Sequence, residues 1–376
     1  MDETYRRIEG SEIYLRKLAS IKEVSALHPI EGKDRIELAV IDGWSVIVKK
    51  NEFQVGDKCV YCEIDSVLPE KPEFEFLRSK NFRIKTMKMA GVISQGICFP
   101  LGILPNGEYE TGCDVTDIMG VKQYEPTMDK EAKSLISSQT DFTKYPKWLM
   151  RFKWFRQFVY RYDKRGSKAF PAFVHKTDET RIQNIPFILK EKQPFVATEK
   201  IDGQSGTFCL ERHKSKIPLI KDKFEYMVCS RNLRLFNKDN SSYWSVSERY
   251  DIEKMLRKLI GKFDWIAIQG ECIAPNVQGN KYKVKVPDLY VFNIITPEGR
   301  MSSLNAKNIC EANGLKFVPI IDTSYILPDT VDKVLEYAHG KSALGSTLRE
   351  GIVFRSQDGK VSFKAVDPLF LIKYDE

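Results

Sequence analysis

Up to about residue 120 the chain runs in short apolar stretches broken by turn signals. "DRIELAVIDG", "WSVIVKK" and "DKCVYCEID" are rich in strand-forming residues, with Asp42-Gly43 and Gly56-Asp57 at the turns. A further strand pair is predicted within "RIKTMKMAGVISQGICFPLG". Several short strands at this spacing predict a small β-barrel. From about residue 171 the pattern becomes α+β. Strands are predicted at 194–201, 205–211, 226–230, 265–274, 289–296, 351–356 and 360–365, and helices at 247–261, 304–313 and 330–339. Ser247 with Glu248 starts the first helix and Gly261 suits its end, while Gly314 stops the second.

Residues 123–170 match neither pattern. "TKYPKWLMRFKWFRQFVYRYDKRGSK" crowds lysines and arginines among aromatics, with Asp163 as its acid. Trp148, Phe152, Phe155 and Val159 are spaced for one helix face, which reads first as packing. The cations also suit phosphate. This stretch is read as a connector. Arg83, Lys85 and Lys88 leave a similar choice open in the first region, between a solvated face and a nucleic-acid groove.

With 376 residues the chain is long enough for two domains, each with its own core. No apolar run approaches the ~20 residues of a membrane span, and the first twenty residues lack the character of a targeting peptide. A soluble intracellular protein without membrane contact is expected. The net charge of +8 favours a polyanionic partner without demanding one. Eight scattered cysteines predict buried free thiols. Cys59 and Cys62, three apart on a strand, face opposite sides and are poorly placed to share a metal. The four histidines are far apart and give a catalytic triad little to work with.

The candidate chemistry starts at "VATEKIDGQSGTF", Val196–Phe208, where Lys200 and Asp202 stand before Gly203. Lys-x-Asp-Gly alone is too common to decide anything. An amine with a pKa of about 10.4 is protonated at neutral pH and must be stripped of its proton before it attacks phosphorus. Such a site also needs carboxylates for a metal, an aromatic for a base, and cations for phosphates. All of these follow at strands or strand ends. Arg231 and Asn232 close "EYMVCSRN", Glu271 lies in "WIAIQGECIAP", and Phe292 in "LYVFNII". Glu350 opens "EGIVFR", and Lys364 lies in "KVSFKAV". Singly, each has an ordinary reading as core, cap or surface charge; their order is what points to chemistry.

Together these residues resemble the covalent nucleotidyltransferase superfamily of ATP-dependent ligases and mRNA capping enzymes. "EKIDG", "SRN", "VFNI", "REGIVFR" and "SFKAV" look like its ordered motifs, and "HKTDETRIQN" resembles the lead-in of RNA ligases. The N-terminal region is similar to the OB-like module of the fifth class of RNA ligases. The resemblance implies an α+β fold in which an N-terminal OB-like β-barrel (1–122) and the connector (123–170) precede a nucleotidyltransferase domain (171–376) of antiparallel sheets with flanking helices. DNA ligases and capping enzymes instead carry an OB domain after the last motif, where this sequence has twelve residues beyond Lys364.

By resemblance, Lys200 attacks the ATP α-phosphate and holds AMP, and Glu199 lies beside the adenine edge. Asp202, Glu271 and Glu350 hold Mg²⁺ or Mn²⁺ largely through its waters, with the ribose hydroxyl as a second option for Glu271. Phe292 stacks on adenine, Arg231 and Asn232 meet AMP or the RNA end, and Lys364 contacts the α-phosphate. Many relatives carry Lys-x-Lys in the last motif, but here Ser362 stands at the first of the two positions. Lys360, Lys373 or Lys192 are candidates for the missing cation. The expected protein is a monomeric ATP-dependent RNA ligase. It joins a 3′-OH RNA end to a 5′-phosphate at nicks in duplexes, with a ribose preferred on the 3′-OH side and the OB-like domain holding the flanking RNA. The alternatives are a DNA ligase, a capping guanylyltransferase, or a non-catalytic RNA-binding protein.

Overall fold

The structure, a computed structural model, describes residues 5–7, 14–124, 145–146, 148–155, 167–215, 221–238 and 240–374. Most of the expected connector, including Val159, lies outside these residues. Among its described residues, Trp148 and Phe152 are exposed rather than packed.

The N-terminal region is built on five antiparallel strands, β1 (Ala19–Pro29), β2 (Ile36–Ile41), β3 (Trp44–Lys49), β4 (Lys58–Cys62) and β5 (Ile97–Pro100), in the order β5-β4-β1-β2-β3. β1 is long enough to serve two neighbours. Its first half pairs with β4, a bulge between Val24 and Ala26 bends it, and its second half pairs with β2. Beyond the free edges, Gln95 N donates to Ser45 O at 2.8 Å, which draws the edges together into a barrel. Alternate residues point inward, so Ile21, Ile41, Trp44, Val46, Val60 and Tyr61 fill the interior. The eight cysteines are free and seven of them buried, Cys59 and Cys62 included.

The remainder carries two sheets. The larger is centred on β8 (Gln204–His213), β9 (Lys223–Cys229), β10 (Trp265–Ile273) and β11 (Asp288–Thr296), in the order β9-β8-β10-β11. One of its faces packs on α1 (Ser242–Arg249), α2 (Ile252–Leu259) and α3 (Ser303–Ala312). The smaller sheet contains β6 (Thr180–Arg181), β7 (Pro194–Lys200), β12 (Ile320–Ile326), β13 (Gly351–Ser356) and β14 (Ser362–Val366), in the order β6-β14-β13-β7-β12. Phe195, Ala197, Ile352, Phe354, Phe363 and Ala365 turn one face toward α4 (Val331–Ala338). The alternate residues Thr198, Lys200, Val353, Arg355, Ser362 and Lys364 therefore share the opposite face. A last helix, α5 (Pro368–Tyr374), inserts Phe370 and Leu371 into the core of the N-terminal barrel, joining the two halves through apolar packing.

The helix predicted over 247–261 is two helices. Ser241, not Ser247, caps the first by accepting from Trp244 N. Asp251 then takes the left-handed conformation (φ 47) and breaks the run. Ser247 is buried instead, within 2.6 Å of the Tyr226 hydroxyl. Strand β12 and helix α5 were not foreseen.

Candidate active site

Strand register brings the predicted residues together. Lys200 ends β7 and is the cross-strand partner of Gly351, so Glu350 falls beside it. Lys200 Nζ donates to Glu350 Oε2 at 2.6 Å. Glu271 approaches from the larger sheet, where it faces Ser205 across β8 and β10, and its Oε1 accepts from Gly203 N at 3.1 Å. Gly203 is needed for that approach. A Cβ there would lie 2.6 Å from Cys272 O. Asp202 is buried, its N donates to the Tyr282 hydroxyl at 2.9 Å, and its carboxylate accepts from Lys281 Nζ.

The electrostatics follow from three acids gathered on one amine. Burial opposes the Lys200 charge, but Glu350, Glu271 and Asp202 outweigh it and hold the pKa above its ordinary value. Glu271 is driven the other way. Burial, with Glu350 and Asp202 as like charges, pushes its carboxyl up to about 8 against the pull of Lys200. The three carboxylates do not converge to within 4.8 Å of one another. Among the described residues that arrangement is met by Glu211, His213 and Glu225, on the rim of the larger sheet.

Lys364 occupies the row Thr198–Val353–Lys364–Arg181, two rows from Lys200–Gly351–Val366 and so on the same face. Phe292 projects from β11, and the Arg355 guanidinium lies 5.8 Å from its ring centroid, so both sheets contribute to one cleft. Glu179 accepts from Arg355 at 3.3 Å and forms an ion pair with Arg300 at 3.8 Å. Burial, then the neighbouring Arg300, lowers the Arg355 pKa to about 10 despite Glu179. Arg355 Nε, Arg300 Nη1 and Ser362 Oγ are buried without protein partners, and Ser362 is the cross-strand partner of Arg355.

Not every predicted residue joins this cluster. The Glu199 carboxylate accepts from Ser342 Oγ and from Ala343 N (2.8 Å), and its backbone N donates to Pro319 O at 2.8 Å. Glu199 thus ties the loop before Glu350 to β7. Arg231 pairs with Asp178, and Asn232 accepts from Lys176 at 3.1 Å; both are exposed. Of the suggested substitute cations, Lys192 pairs with Asp329, Lys360 with Asp358, and Lys373 lies 5.2 Å from the Tyr374 ring. Sequence reasoning missed Lys281 and Arg355. Arg355 had a signal, a charge in an otherwise apolar strand on the same alternation as Val353. Lys281 lies in a loop with two further lysines and had none.

A pair of β-sheets that close on a lysine, three acids and an aromatic, behind an OB-like barrel, define a nucleotidyltransferase of the polynucleotide-ligase type. Family comparison agrees. An OB-fold domain matches residues 18–101 and an RNA ligase family matches residues 193–374. No curated protein matches the chain. Among solved structures, the RNA ligase of Naegleria gruberi with PPi is 30% identical, covers 96% of this chain and 99% of its own, and superposes with a TM-score of 0.77. A mutant of that ligase with ATP and Mn is 29% identical over 94% of this chain and 98% of its own (TM-score 0.77). Another, with AMP and Mn, is 29% identical over 95% and 98% (TM-score 0.76). The chain belongs to the RNA ligase family. No helix among the described residues is long and apolar enough to cross a membrane.

Proposed function

We propose that the protein is an ATP-dependent RNA ligase that works through a lysyl-AMP at Lys200 and seals 3′-OH and 5′-phosphate RNA ends at nicks in duplexes. The observation that carries this reading is the Lys200 ammonium, held 2.6 Å from Glu350 within the field of Glu271 and Asp202. Three carboxylates gathered on one buried amine, one of them in contact with its proton, suit a proton-linked covalent role once that proton is removed.

In the first step Lys200 Nζ loses a proton and bonds to the α-phosphorus of ATP. The bond from that phosphorus to the bridging oxygen breaks, and pyrophosphate leaves. Glu350 Oε2 is the acceptor already in contact with the departing proton. Lys364, two rows away on the same face, supplies positive charge to the transferring phosphoryl oxygens. Phe292 offers the stacking surface for adenine. In the second step the 5′-phosphate of RNA displaces Lys200 from AMP. In the third, a 3′-OH displaces AMP and forms the phosphodiester; Arg231 and Asn232, exposed beside Asp178 and Lys176, would meet the RNA end.

A divalent cation fits the donor set. Asp202, Glu271 and Glu350 are hard oxygen donors that all act on Lys200 without closing to within 4.8 Å of one another, which suits binding through the ion's waters, as does the preference of Mg²⁺ for keeping them. When bound, Mg²⁺ or Mn²⁺ supplies positive charge that favours the neutral amine and offsets the charge of the triphosphate. The Naegleria complexes with ATP, AMP and Mn support this choice of partners.

The test is covalent labelling. Protein incubated with Mg²⁺ and ATP labelled at the α-phosphate should carry label through a denaturing gel, and Lys200→Ala should not. Equal labelling of the two would sink the mechanism. Nicked duplexes with ribose or deoxyribose at the 3′-OH then test the substrate assignment.

A further inference from the structure

The loop between β10 and β11, "APNVQGNKYKVKVP" (274–287), carries three lysines. Lys283 and Lys285 are exposed, whereas the Lys281 side chain is only 12% exposed. The local chain explains the difference. Asn280 is left-handed (φ 49) and brackets the turn, donating to Val284 O at 3.0 Å and accepting from Val284 N at 2.8 Å. This turn sends the next two residues inward onto one target. The Tyr282 hydroxyl accepts from Asp202 N, and Lys281 Nζ donates to Asp202 Oδ2. The same ammonium lies 4.9 Å from the Phe370 ring centroid and 4.6 Å from that of Tyr374, both on α5. A carboxylate and two aromatic faces thus compensate a cation that burial would otherwise penalise.

We propose that Lys281 is a built-in competitor of the divalent metal, holding the Asp202 carboxylate until the metal displaces it. The proposal rests on the reading of Asp202 as a metal holder. A water carried by a metal ion and the Lys281 ammonium both donate hydrogen bonds, and both are cationic. They cannot share Asp202 Oδ2 without bringing like charges into contact in a buried site. Lys281 therefore lowers metal affinity in the absence of nucleotide. ATP reverses the balance, because its triphosphate adds negative charge that attracts the metal and can receive the displaced ammonium. Metal and nucleotide entry are coupled through one lysine. The same lysine spares Asp202 from standing as an uncompensated buried charge.

The test is Mn²⁺ binding to the full-length protein without nucleotide, followed by electron paramagnetic resonance of the free ion. Lys281→Gln should bind Mn²⁺ about ten-fold more tightly than wild type. The gain should vanish in Lys281→Gln/Asp202→Asn, while the rim trio of Glu211, His213 and Glu225 contributes equally throughout. Lys281→Arg, which keeps the charge, should bind Mn²⁺ like wild type. Mn²⁺ should also raise the melting temperature of Lys281→Gln more than that of wild type. Unchanged or weaker Mn²⁺ binding by Lys281→Gln overturns the proposal. If instead neither protein binds Mn²⁺ beyond the amount retained by Asp202→Asn, the reading of Asp202 as a metal holder fails, and the proposal with it.

Discussion

Lys200 and Glu350 meet as an ion pair at 2.6 Å because Lys200 is the cross-strand partner of Gly351, and Glu350 is the residue before it. A lysine at one strand end and an acid 150 residues later are placed together by backbone register. Register supplies the backbone placement, while the pair still meets the desolvation cost of burial that a surface ion pair avoids.

This pairing sets a pH dependence. Burial opposes the Lys200 charge, but Glu350, Glu271 and Asp202 outweigh it, so the amine stays protonated to higher pH than a free lysine. Adenylylation at fixed Mg²⁺ should therefore accelerate as pH rises into the alkaline range. Glu350→Gln removes the strongest of the opposing carboxylates. Its rate should fall by roughly 100-fold, through loss of a metal holder and proton acceptor. The midpoint of the remaining pH profile should move toward acid. Single-turnover labelling of Lys200 across pH measures both, and a midpoint that moves alkaline contradicts the assignment.

Glu271 makes the opposite contribution to stability. Its carboxyl, pushed up to about 8 by burial first and then by Glu350 and Asp202, keeps a proton in the folded protein that the unfolded chain releases near 4.5. Between those values the folded state binds more protons, so this group lowers stability as pH climbs through the window. Glu271→Gln removes the effect. In chelator, the melting temperature of Glu271→Gln relative to wild type should rise between about pH 5 and about pH 8.5. A flat or falling difference would mean that Glu271 is ionised throughout.

Legibility in the sequence followed the physics of each element. Strands β7, β8, β10, β11 and β13 each contain a buried apolar run and β14 alternates buried with half-buried positions, so their patterns match the observed strands closely. Strand β12, "IIDTSYI", is a half-exposed edge with neither alternation nor a continuous apolar run, and it left no pattern to read. The break at Asp251 was hidden because a left-handed aspartate is a local backbone event inside a good helical stretch. Lys200, Asp202, Glu271 and Glu350 were legible because each sits at or beside a strand. Lys281 reaches the site through a loop turn set by Asn280, which sequence spacing does not encode.

Arg355, Glu179 and Arg300 form a buried charge group, and its members should not be separable without loss. Arg355→Met leaves Glu179 with only the longer contact to Arg300, and Glu179→Met leaves Arg355 and Arg300 as like charges. Each single change should cost about 3–5 kcal/mol, the usual loss when one partner of a buried pair is removed. The double change should cost less than the sum, because the two single losses share the Arg355–Glu179 contact, even though Arg300 then loses Glu179. Urea unfolding of the four proteins gives the coupling, and strict additivity would show that the group is not cooperative.

Gly43 sits where the barrel touches the rest of the chain, and its lack of a side chain is what permits the contact. A Cβ there would lie 2.8 Å from Gln183 Cα, closer than two backbones tolerate. The same seam holds Gly43 N to Gln183 O at 3.2 Å, and Trp44 Nε1 to Asn184 Oδ1 at 2.7 Å. Asn184 donates in turn to Glu63 at 3.1 Å, and Arg181 pairs with Asp65 at 3.2 Å. Residues 180–181 are also β6, whose Arg181 is the cross-strand partner of Lys364. Displacing 180–184 therefore disturbs both the seam and the strand carrying a proposed phosphate contact. Gly43→Ala should destabilise the protein by about 1–3 kcal/mol, the usual cost of overpacking. Its adenylylation rate should fall more than that of Gly102→Ala, a glycine whose added Cβ meets nothing within 4 Å and whose backbone is not left-handed. A loss under about 0.5 kcal/mol for Gly43→Ala would show that the seam yields freely. The barrel would then not brace Lys364.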